Sequence, residues 1–460
     1  MTGLLLLGLT VNAAAAGNGE MNGLPAGIDW DAIEILDLET AQRIGLMQNP
    51  NLMAASERVN QARERVRQAQ AAYWPTLGAE ASGRRVEISN NASKGNRPQA
   101  LFFDPNARDD STNVYRAGMV STWTVFDGFR RHYDNALARY GEEENRASLL
   151  EARRLLLSSI ADNYYVAQLA VENIHIADAD EEFNTRQLEE AQARMRVGTG
   201  SLSDVLNFEV QVNAARSARN SFDRNYRLAM IGLAALMGIP DAGLPDSLQL
   251  SPLQSETAKA LAVPPDTENI VYALDHRTDI QRDMSVVNQA EAGVGIARSV
   301  FWPAIEFQAS VDGEKTNSVD YEQDDFGSTV GLFLSYPLFT GGERRARLAE
   351  AKYRQIEAED NLNGTRISVA SEVREAIANV ITAQRELLLQ QSNATLVKRN
   401  RDLVEKEYNA GQASLVRLNE AQRDLNQATS RLALARGGLR QTWKNLNVAT
   451  GRILLPFEAP

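Results

Sequence analysis

The stretch AQAAYWPTL (residues 69–77) decides the fold, because a helical pattern ends in it and a strand pattern begins. Proline lacks the amide hydrogen that a helix interior needs, so Trp74 and Pro75 mark the stop. The same junction returns 228 positions later as ARSVFWPAI (residues 297–305). A helix-to-strand junction that occurs twice indicates a duplicated fold.

Three further landmarks recur in the same order, but at an offset of 213. The difference of 15 residues between the two offsets indicates one insertion, which falls within residues 88–113 of the first copy. The three pairs are FDG (126–128) with FTG (339–341), GTGSL (198–202) with GQASL (411–415), and ALMG (235–238) with VATG (448–451).

Composition excludes several classes of function. The 460 residues carry a net charge of −12, and an acidic chain is poorly suited to binding phosphate backbones, so we expect no nucleic-acid partner. The chain has no cysteine, which excludes disulfides, thiolate metal sites and a lipid-anchoring cysteine.

The first residues resemble a secretion signal. An apolar run at 4–11 precedes four alanines at 13–16, which predicts a signal peptide over residues 1–16. No other stretch approaches the roughly 18 apolar residues that cross a bilayer as a helix. Any membrane-spanning segment is therefore predicted to be a strand.

The repeats divide the chain into predicted segments, each copy having the order helix, strand, strand, helix, helix. Apolar and polar residues alternate from Ile305 to Asp312, as transmembrane strands require. Spacings of three and four residues from Val205 to Leu236, and from Leu418 to Ala449, predict helices that pair along their length. The segments are a lead-in (17–36), the first repeat (37–238), a linker (239–265), the second repeat (266–451) and a tail (452–460), with polar loops predicted at 88–113 and 314–328.

The sequence contains no recognisable catalytic or cofactor-binding constellation. His132, His175 and His276 lie on different predicted helices and lack metal-ligand spacing. The stretch GVGIAR (293–298) lacks the strand and third glycine of a dinucleotide fingerprint. DADEE (178–182) lacks the glycine and length of a calcium loop. We expect neither an enzyme nor a cofactor.

Read twice in this order, the chain resembles the TolC family of outer-membrane efflux and secretion channels. The resemblance rests on the helix-to-strand transitions Trp74-Pro75 and Trp302-Pro303, on YPLFTGG (336–342) and on the two glycine-containing turns. It implies an α+β fold in which long antiparallel coiled helices form an α-barrel. Each chain then supplies four strands to a trimeric, 12-stranded transmembrane β-barrel.

Physical reasoning also favours a homotrimer. Four strands cannot close a barrel, since the smallest natural ones have about eight strands. Open strand edges cannot face lipid, because their amides and carbonyls would lack partners there. Three chains would provide enough strands for closure.

The resemblance further implies location and partners. The strands would contact lipid of the Gram-negative outer membrane, with the helices in the periplasm. A periplasmic adaptor and an inner-membrane ABC or RND transporter would complete the system, and the missing lipid-anchor cysteine favours type I secretion. One alternative is a drug-efflux outer-membrane factor serving an RND-type pump. A remote alternative, a soluble coiled-coil scaffold, explains the heptads but not the Trp-Pro junctions.

The family closes its entrance at the tips of the two helix hairpins, which implies gate residues here. The implied gate comprises Asp204, Tyr408, Arg417 and Glu420. Arg417 stands where an acidic residue is common, and we expect it to attract Asp204. Alternatively, these are ordinary solvated tip residues. The tip turns implied to dock the adaptor are Gly198, Thr199, Gly200, Ser201 and Leu202, with Gly411, Gln412, Ala413, Ser414 and Leu415.

Overall fold

The computed structural model describes residues 33–87, 111–245, 247–253 and 258–457. The predicted signal peptide (1–16) lies outside these residues, as do most of the predicted lead-in and positions 88–110 of the predicted loop. The end of the predicted tail, 458–460, is outside them too.

A short parallel sheet begins the described chain and was not predicted. Strand β1 (Ile35–Leu36) pairs with a strand inside the linker, Gln249–Leu250, here called β4. The Tyr164 hydroxyl donates to the carbonyl of Leu36 at 2.9 Å. Part of the segment predicted as a linker therefore pairs with the start of the described chain.

Within the described residues, eight α-helices form two sets of four. Each set contains helices of 11, 22, 67 and 36 residues in that order, which confirms the predicted duplication. The first set is α1 (Leu38–Gln48), α2 (Pro50–Ala71), α3 (Arg130–Arg196) and α4 (Leu202–Met237). The second set is α5 (Asp266–His276), α6 (Thr278–Ser299), α7 (Glu343–Asn409) and α8 (Leu415–Thr450).

Local chemistry sets the helix ends. The Asp37 carboxylate accepts from the Thr40 amide at 2.7 Å and so caps α1. Asn49 precedes a proline and has extended backbone angles, which separates α1 from α2. Gly238 and Gly451 adopt left-handed conformations, with φ of 82° and 81°, just beyond α4 and α8.

Four strands form an antiparallel sheet in the order β2 (Thr76–Glu87), β3 (Ser111–Phe126), β5 (Ala304–Thr316) and β6 (Phe326–Ser335). The second strand pair is longer than predicted, so the predicted loop at 314–328 shrinks to 317–325. The Lys315 ammonium pairs with the Asp325 carboxylate at 2.8 Å, which helps the strands continue into that region.

The two faces of this sheet differ in polarity. Phe307 lies opposite Trp123 on one side and Leu332 on the other, which makes an apolar row. One position along, on the opposite face, Gln308 lies between Thr122 and Gly331. The polar face also carries an ion pair between Arg116 and Glu314.

The chain divides into two compact units, each with its own core. The first unit comprises Met1–Asn49, Ser159–Thr257 and Glu386–Gln441. The second comprises Pro50–Ser158, Ala258–Arg385 and Thr442–Pro460. Buried apolar side chains fill the first around Phe183, Phe208, Val404 and Leu418, and the second around Val369, Val373, Ile377, Val380 and Leu446.

The predicted heptad seam is buried along most of α4. Phe208 and Leu233 are fully buried, with Val212 nearly so. Arg219 departs from the pattern, since its side chain is 53% exposed and pairs with Asp178 at 2.6 Å. The seam is therefore apolar except where an ion pair connects α4 with α3.

Neither a membrane-crossing helix nor a metal centre occurs in the part of the chain that the structure describes. None of its helices is apolar enough over 18 residues to cross a bilayer. None of its His, Asp and Glu side chains form a group of three or more suited to a metal ion.

Candidate functional site

The first tip turn connects α3 to α4 through two glycines. Gly198 is left-handed (φ 77°), and the amides of Thr199 and Gly200 both donate to the Arg194 carbonyl, at 2.9 and 3.0 Å. The Ser201 hydroxyl then accepts from the Ser203 amide and caps α4. The turn is thus fixed by backbone bonds that close the end of α3.

The second tip turn, between α7 and α8, repeats this pattern. Gly411 is left-handed (φ 73°), and the amides of Gln412 and Ala413 donate to the Glu407 carbonyl at 2.8 and 3.2 Å. The Ser414 hydroxyl accepts a hydrogen bond from the backbone amide of Arg417, in the first turn of α8, at 3.3 Å. The two predicted turns therefore have one backbone design.

The charges beside the two turns are reversed. Arg194 precedes the first turn and Asp204 follows it, while Glu407 and Arg417 hold the equivalent positions at the second, 213 residues later. Arg417 pairs with Glu407 at 3.0 Å, across its own turn. Pairing of Arg417 with Asp204 stays a prediction.

Tyr408, a predicted gate residue, contacts an arginine of α3. The Arg194 guanidinium lies 5.3 Å from the Tyr408 ring centroid, and its Nη2 donates to the Asn409 side chain at 3.1 Å. Burial raises the pKa of the Tyr408 phenol, and the negative charge of Asp204 raises it further. The phenol therefore remains neutral at physiological pH.

A second arginine–aromatic stack lies further along the same two helices, with the arginine on α7 and the aromatic ring on α3. Arg401 of α7 lies 5.3 Å from the ring centroid of Phe183 in α3. It also pairs with Asp402 at 3.1 Å and Glu405 at 2.9 Å. Each of the two long helices thus offers an arginine to an aromatic ring of the other.

Glu420, the fourth predicted gate residue, lies apart from these contacts. It is exposed on α8 and lines an open groove together with Arg423, Asp424 and Gln427. These four residues lie on one face of the helix, which carries charges of both signs. Sequence reasoning missed Arg194, Arg401 and Glu407. The opposite charges at positions 213 apart were the available signal for Arg194 and Glu407.

An arginine also fixes the first helix-to-strand junction. Arg131 donates to the carbonyls of Ala72 at 3.4 Å and Val125 at 3.1 Å, and its Nε donates to the Asp127 carboxylate at 3.0 Å. The guanidinium lies 5.3 Å from the Tyr73 ring centroid. It therefore donates to one carbonyl at the end of α2, where Trp74-Pro75 stops the helix, and to one carbonyl of β3.

Arg344, its counterpart 213 positions later, does the same at Trp302-Pro303. It donates to the carbonyls of Val300 and Leu338, both at 3.4 Å, and to the Thr340 hydroxyl at 3.3 Å. Its guanidinium lies 5.7 Å from the Phe301 ring centroid. The sequence analysis did not predict a role for either arginine, although both occupy the same position of the repeat, 213 residues apart.

Comparison with known proteins places this geometry in a family. The profile of a family described as outer membrane efflux protein matches residues 45–239 and 269–452. The outer membrane protein TolC of Salmonella enteritidis is 22% identical over 88% of this chain and 80% of its own. The solvent efflux pump outer membrane protein SrpC of Pseudomonas putida is 25% identical over 84% of this chain and 79% of its own.

The fold is shared with solved structures. The Campylobacter jejuni CmeC outer membrane channel superposes with a TM-score of 0.77 at 18% identity, covering 90% of this chain and 85% of that one. At this identity the likeness establishes the fold.

Proposed function

This chain belongs to the outer membrane efflux protein family, and from that premise we propose that three copies form a continuous duct through the outer membrane. Members of the family are channel proteins, so the chain is an outer-membrane efflux channel and not an enzyme. The duct carries its cargo outward, from the periplasm or the cytoplasm to the exterior.

One observation carries the proposal: the sheet has an apolar face, a polar face and two unpaired edges. The apolar row through Phe307 suits lipid, while Gln308 and the Arg116–Glu314 pair suit an aqueous interior. Strands β2 and β6 each have a neighbour on one side. Edges of this kind need partners inside a bilayer, and three chains of four strands supply twelve.

The helix hairpins form the periplasmic part of the proposed duct, with the gate at their tips. The Arg417–Glu407 pair stabilises one hairpin, and Arg194 stacks on Tyr408 between two helices. Contacts of this exposed kind contribute about 0.2–1 kcal/mol each, and threefold repetition multiplies them. The resulting gate would be held closed yet able to open. The tip turns at Gly198–Leu202 and Gly411–Leu415 would then dock a periplasmic adaptor.

The proposed partners are a periplasmic adaptor and an inner-membrane ABC transporter, as in type I secretion. The chain has no sequence motif for binding nucleotide phosphates, so the energy must come from another protein. A second candidate is drug or solvent efflux with an RND-type transporter, which the similarity to a solvent efflux pump component favours.

Assembly and conduction provide the main test. The purified protein in detergent should have the native mass of a trimer and should form ion-conducting pores in planar bilayers. A stable monomer that retains its strands, or a trimer that never conducts, would refute the proposal.

Orientation is tested by epitope tags. A tag inserted at Asn96 should be labelled on intact cells, whereas a tag at Thr199 should be labelled only after the outer membrane is opened. The reverse pattern would refute the proposed topology.

The two partner sets are separated by complementation in a host that lacks its own outer-membrane channel. Restored secretion of a type I protein substrate supports the first set, and restored solvent or drug resistance supports the second. Cross-linking to the adaptor of each system identifies which complex forms.

A further inference from the structure

An aromatic residue lies on the polar face of the four-stranded sheet. Phe333 of β6 is paired with Glu306 of β5, and two positions along the ladder Gly331 is paired with Gln308. Because side chains alternate between the two faces of a sheet, Phe333 and Glu306 share the face of Gln308. In the proposed duct this face borders the aqueous interior. The Phe333 side chain, which is 53% exposed, therefore faces the path of the cargo and not lipid.

A glycine beside Phe333 makes room for the ring. A Cβ added at Gly331 would lie 3.0 Å from Cε2 and 3.1 Å from Cζ of Phe333, so one edge of the ring lies over the glycine backbone. Aromatic side chains stabilise strand glycines by covering them in this way. The contact positions the ring along its own strand and leaves about half of the side chain accessible.

The carboxylate opposite this ring is available to a ligand. Glu306 is exposed and forms no ion pair with any residue that the structure describes. Glu314, on the same face of the same strand, is instead paired with Arg116. Residues directly opposite each other in an antiparallel pair have Cβ atoms about 4.5–5.5 Å apart. One bound molecule can therefore contact the Glu306 carboxylate and the Phe333 ring together.

A carboxylate beside an exposed aromatic ring is complementary to an organic cation. The negative face of the ring attracts a cation that lies within about 6 Å of its centre, and quaternary ammonium groups are recognised in this way. The Glu306 carboxylate adds an opposite charge, and the net charge of −12 favours the approach of cations over anions. A neutral solute would gain the ring contact alone, and an anion would be repelled by Glu306.

The first copy keeps the strand pair but not its chemistry. The offsets of 228 and 213 make Gly78 the counterpart of Glu306 and Val120 the counterpart of Phe333, and Gly78 is paired with Val120. The same register is thus formed without a carboxylate or a ring. Pairing of the strands does not require these two side chains, so their occurrence in the second copy points to a ligand.

We propose that Glu306 and Phe333 form a weak binding site for aromatic ammonium cations on the inner face of the strand sheet. The proposal rests on the channel put forward above and adds a chemical class of cargo that its interior recognises. Each chain contributes one such site. Weak binding suits a channel, because conduction requires a ligand to leave as readily as it enters.

Two measurements on the purified full-length protein test the site with benzyltrimethylammonium as the probe. Saturation-transfer NMR in detergent should detect its binding, and the probe should reduce the current through single channels in planar bilayers. Phenylmethanesulfonate, which carries a similar aromatic group but a negative charge, should do neither at the same concentration. Equal binding and block by the two compounds would overturn the proposal, because the site would then not recognise positive charge.

Variants at the two residues test which groups hold the probe. Phe333→Leu should raise the half-blocking concentration about two- to fivefold, as expected for loss of an exposed cation–π contact. Glu306→Gln should raise it about 1.5- to fivefold, as expected for an exposed ion pair. Phe333→Tyr keeps an aromatic ring and should retain block close to that of the parent.

Two further variants serve as matched controls. Asp312→Asn removes a carboxylate from the same face of β5, where the paired residues are Gly118 and Gly327 and no ring lies opposite. Phe307→Leu removes a ring from the other face of β5. Both should retain block close to that of the parent. If Asp312→Asn weakens block as much as Glu306→Gln, the acidic interior attracts cations generally and the proposed site is refuted.

The outcome without the probe separates this proposal from the proposed function. A protein that forms no trimer, or whose trimers do not conduct, contradicts the channel itself. A conducting trimer whose NMR signal and half-blocking concentration are unchanged by both Glu306→Gln and Phe333→Leu refutes the binding site alone. Native mass, measured for every variant, confirms that the compared samples are trimers.

Discussion

The last helix of each copy ends against a different kind of partner. In the first copy, the side-chain amide of Asn49 donates to the Leu236 carbonyl at 2.9 Å, near the end of α4. In the second, the Arg277 guanidinium donates to the Ala449 carbonyl, also at 2.9 Å, near the end of α8. The offsets of 228 and 213 make Arg277 the counterpart of Asn49 and Ala449 that of Leu236.

Arg277 has acquired ionic partners that an amide could not hold. Its side chain is 2% exposed and pairs with Asp279 at 2.6 Å and Glu372 at 2.8 Å. Burial acts to lower the pKa of Arg277, but these two carboxylates outweigh it and raise the pKa. Beside it, Arg154 pairs with Glu151 at 2.6 Å.

Packing differs in the same way. A Cβ at Gly45 would lie 2.4 Å from Ile160 Cδ1, so the first copy requires a glycine beside a large side chain. The counterparts in the second copy, Ala273 and Val373, are both fully buried in one cluster. The helix-end carbonyls need a donor in both copies, whereas the chemistry of the donor can diverge.

The largest difference in stability between the two copies is expected when the buried residue Arg277 is replaced. Arg277→Ala leaves two carboxylates and a carbonyl without their partner and should lower the free energy of unfolding by about 3–5 kcal/mol. Asn49→Ala leaves one neutral carbonyl and should cost about 1–3 kcal/mol. Urea titrations followed by circular dichroism measure both, with exposed Arg399→Ala as the control. Equal losses for Arg277 and Asn49 would show that the ionic network adds nothing.

The two junction arginines give the next contrast. Arg131→Ala removes a partner of the Asp127 carboxylate and should cost about 1.5–3 kcal/mol, as for hydrogen bonds to charged groups. Arg344→Ala leaves only neutral oxygen atoms without their donor, and it should therefore cost less, about 0.5–1.5 kcal/mol. The temperature at which trimers dissociate in detergent should fall in that order. A larger fall for Arg344 would contradict the proposed role of Asp127.

Left-handed backbone provides a smaller contrast beside these arginines. Phe129 has φ of 69°, while its counterpart Gly342 has φ of 90°. Left-handed geometry costs a residue with a side chain about 1–2 kcal/mol, so Phe129→Gly should stabilise the chain by up to about 1 kcal/mol after the added flexibility of glycine. Gly342→Phe should destabilise it. The Phe129 ring lies edge-on to that of Phe126, with 5.5 Å between the ring centroids. If Phe129→Gly destabilises the chain instead, this contact outweighs the strain.

Acid should selectively weaken the ionic cluster around Arg277, to which the first copy contributes Glu151 and the second Asp279. Burial acts to raise the pKa of Glu151 and of Asp279, but hydrogen bonds from Arg154 and Thr278 to the first, and from Arg277 to the second, outweigh it and lower both pKa values. A carboxyl group with a lowered pKa adds stability above its ordinary value of about 4, and the stability is lost as pH falls below it.

Urea midpoints measured at pH 7 and pH 3 test this dependence. Glu151→Gln should be less stable than the parent at pH 7, and the gap should narrow at pH 3. The exposed residue Glu189 provides the control, Glu189→Gln, which should track the parent. A gap that is constant with pH would exclude ionisation of Glu151 as the cause.

The smallest effects on stability are expected at the tips, where they concern closure. Arg417→Glu places like charges at the Glu407 pair, and Arg194→Gln removes the stack on Tyr408. Each should cost only about 0.2–1 kcal/mol in folding, so trimers should remain intact. Single-channel conductance and entry of a large antibiotic should nevertheless rise. The exposed residue Arg196 provides the control, Arg196→Glu. Unchanged conductance in both tip variants would show that these residues do not gate.

Much of the fold was predictable from the sequence because its signals are local. Trp-Pro, the glycine turns and the three-four spacing each depend on backbone rules that act within a few residues. The repeats at 228 and 213 then converted local signals into the order of a whole fold. The β1–β4 pair could not be predicted this way, because two-residue strands lack a recognisable pattern and form only when distant segments meet.

The proposed gate illustrates the same limit. Sequence placed Arg417 and Tyr408 beside a turn, but their partners were decided by which helices pack together. Arg194 stacks on Tyr408 although the two are 214 positions apart in the chain. The local sequence around either residue does not predict this contact.

The sequence by itself determined the duplicated order of helices and strands, since hydrophobic period, proline and glycine act along the chain. Only the tertiary structure decided which side chains complete the helix ends, junctions and tips. Those contacts depend on packing between different segments of the chain, separated by 59 positions for Arg131 and Ala72 and by 187 for Asn49 and Leu236. Two copies of one pattern could therefore keep the same backbone and still be stabilised by an amide in one and by buried ion pairs in the other.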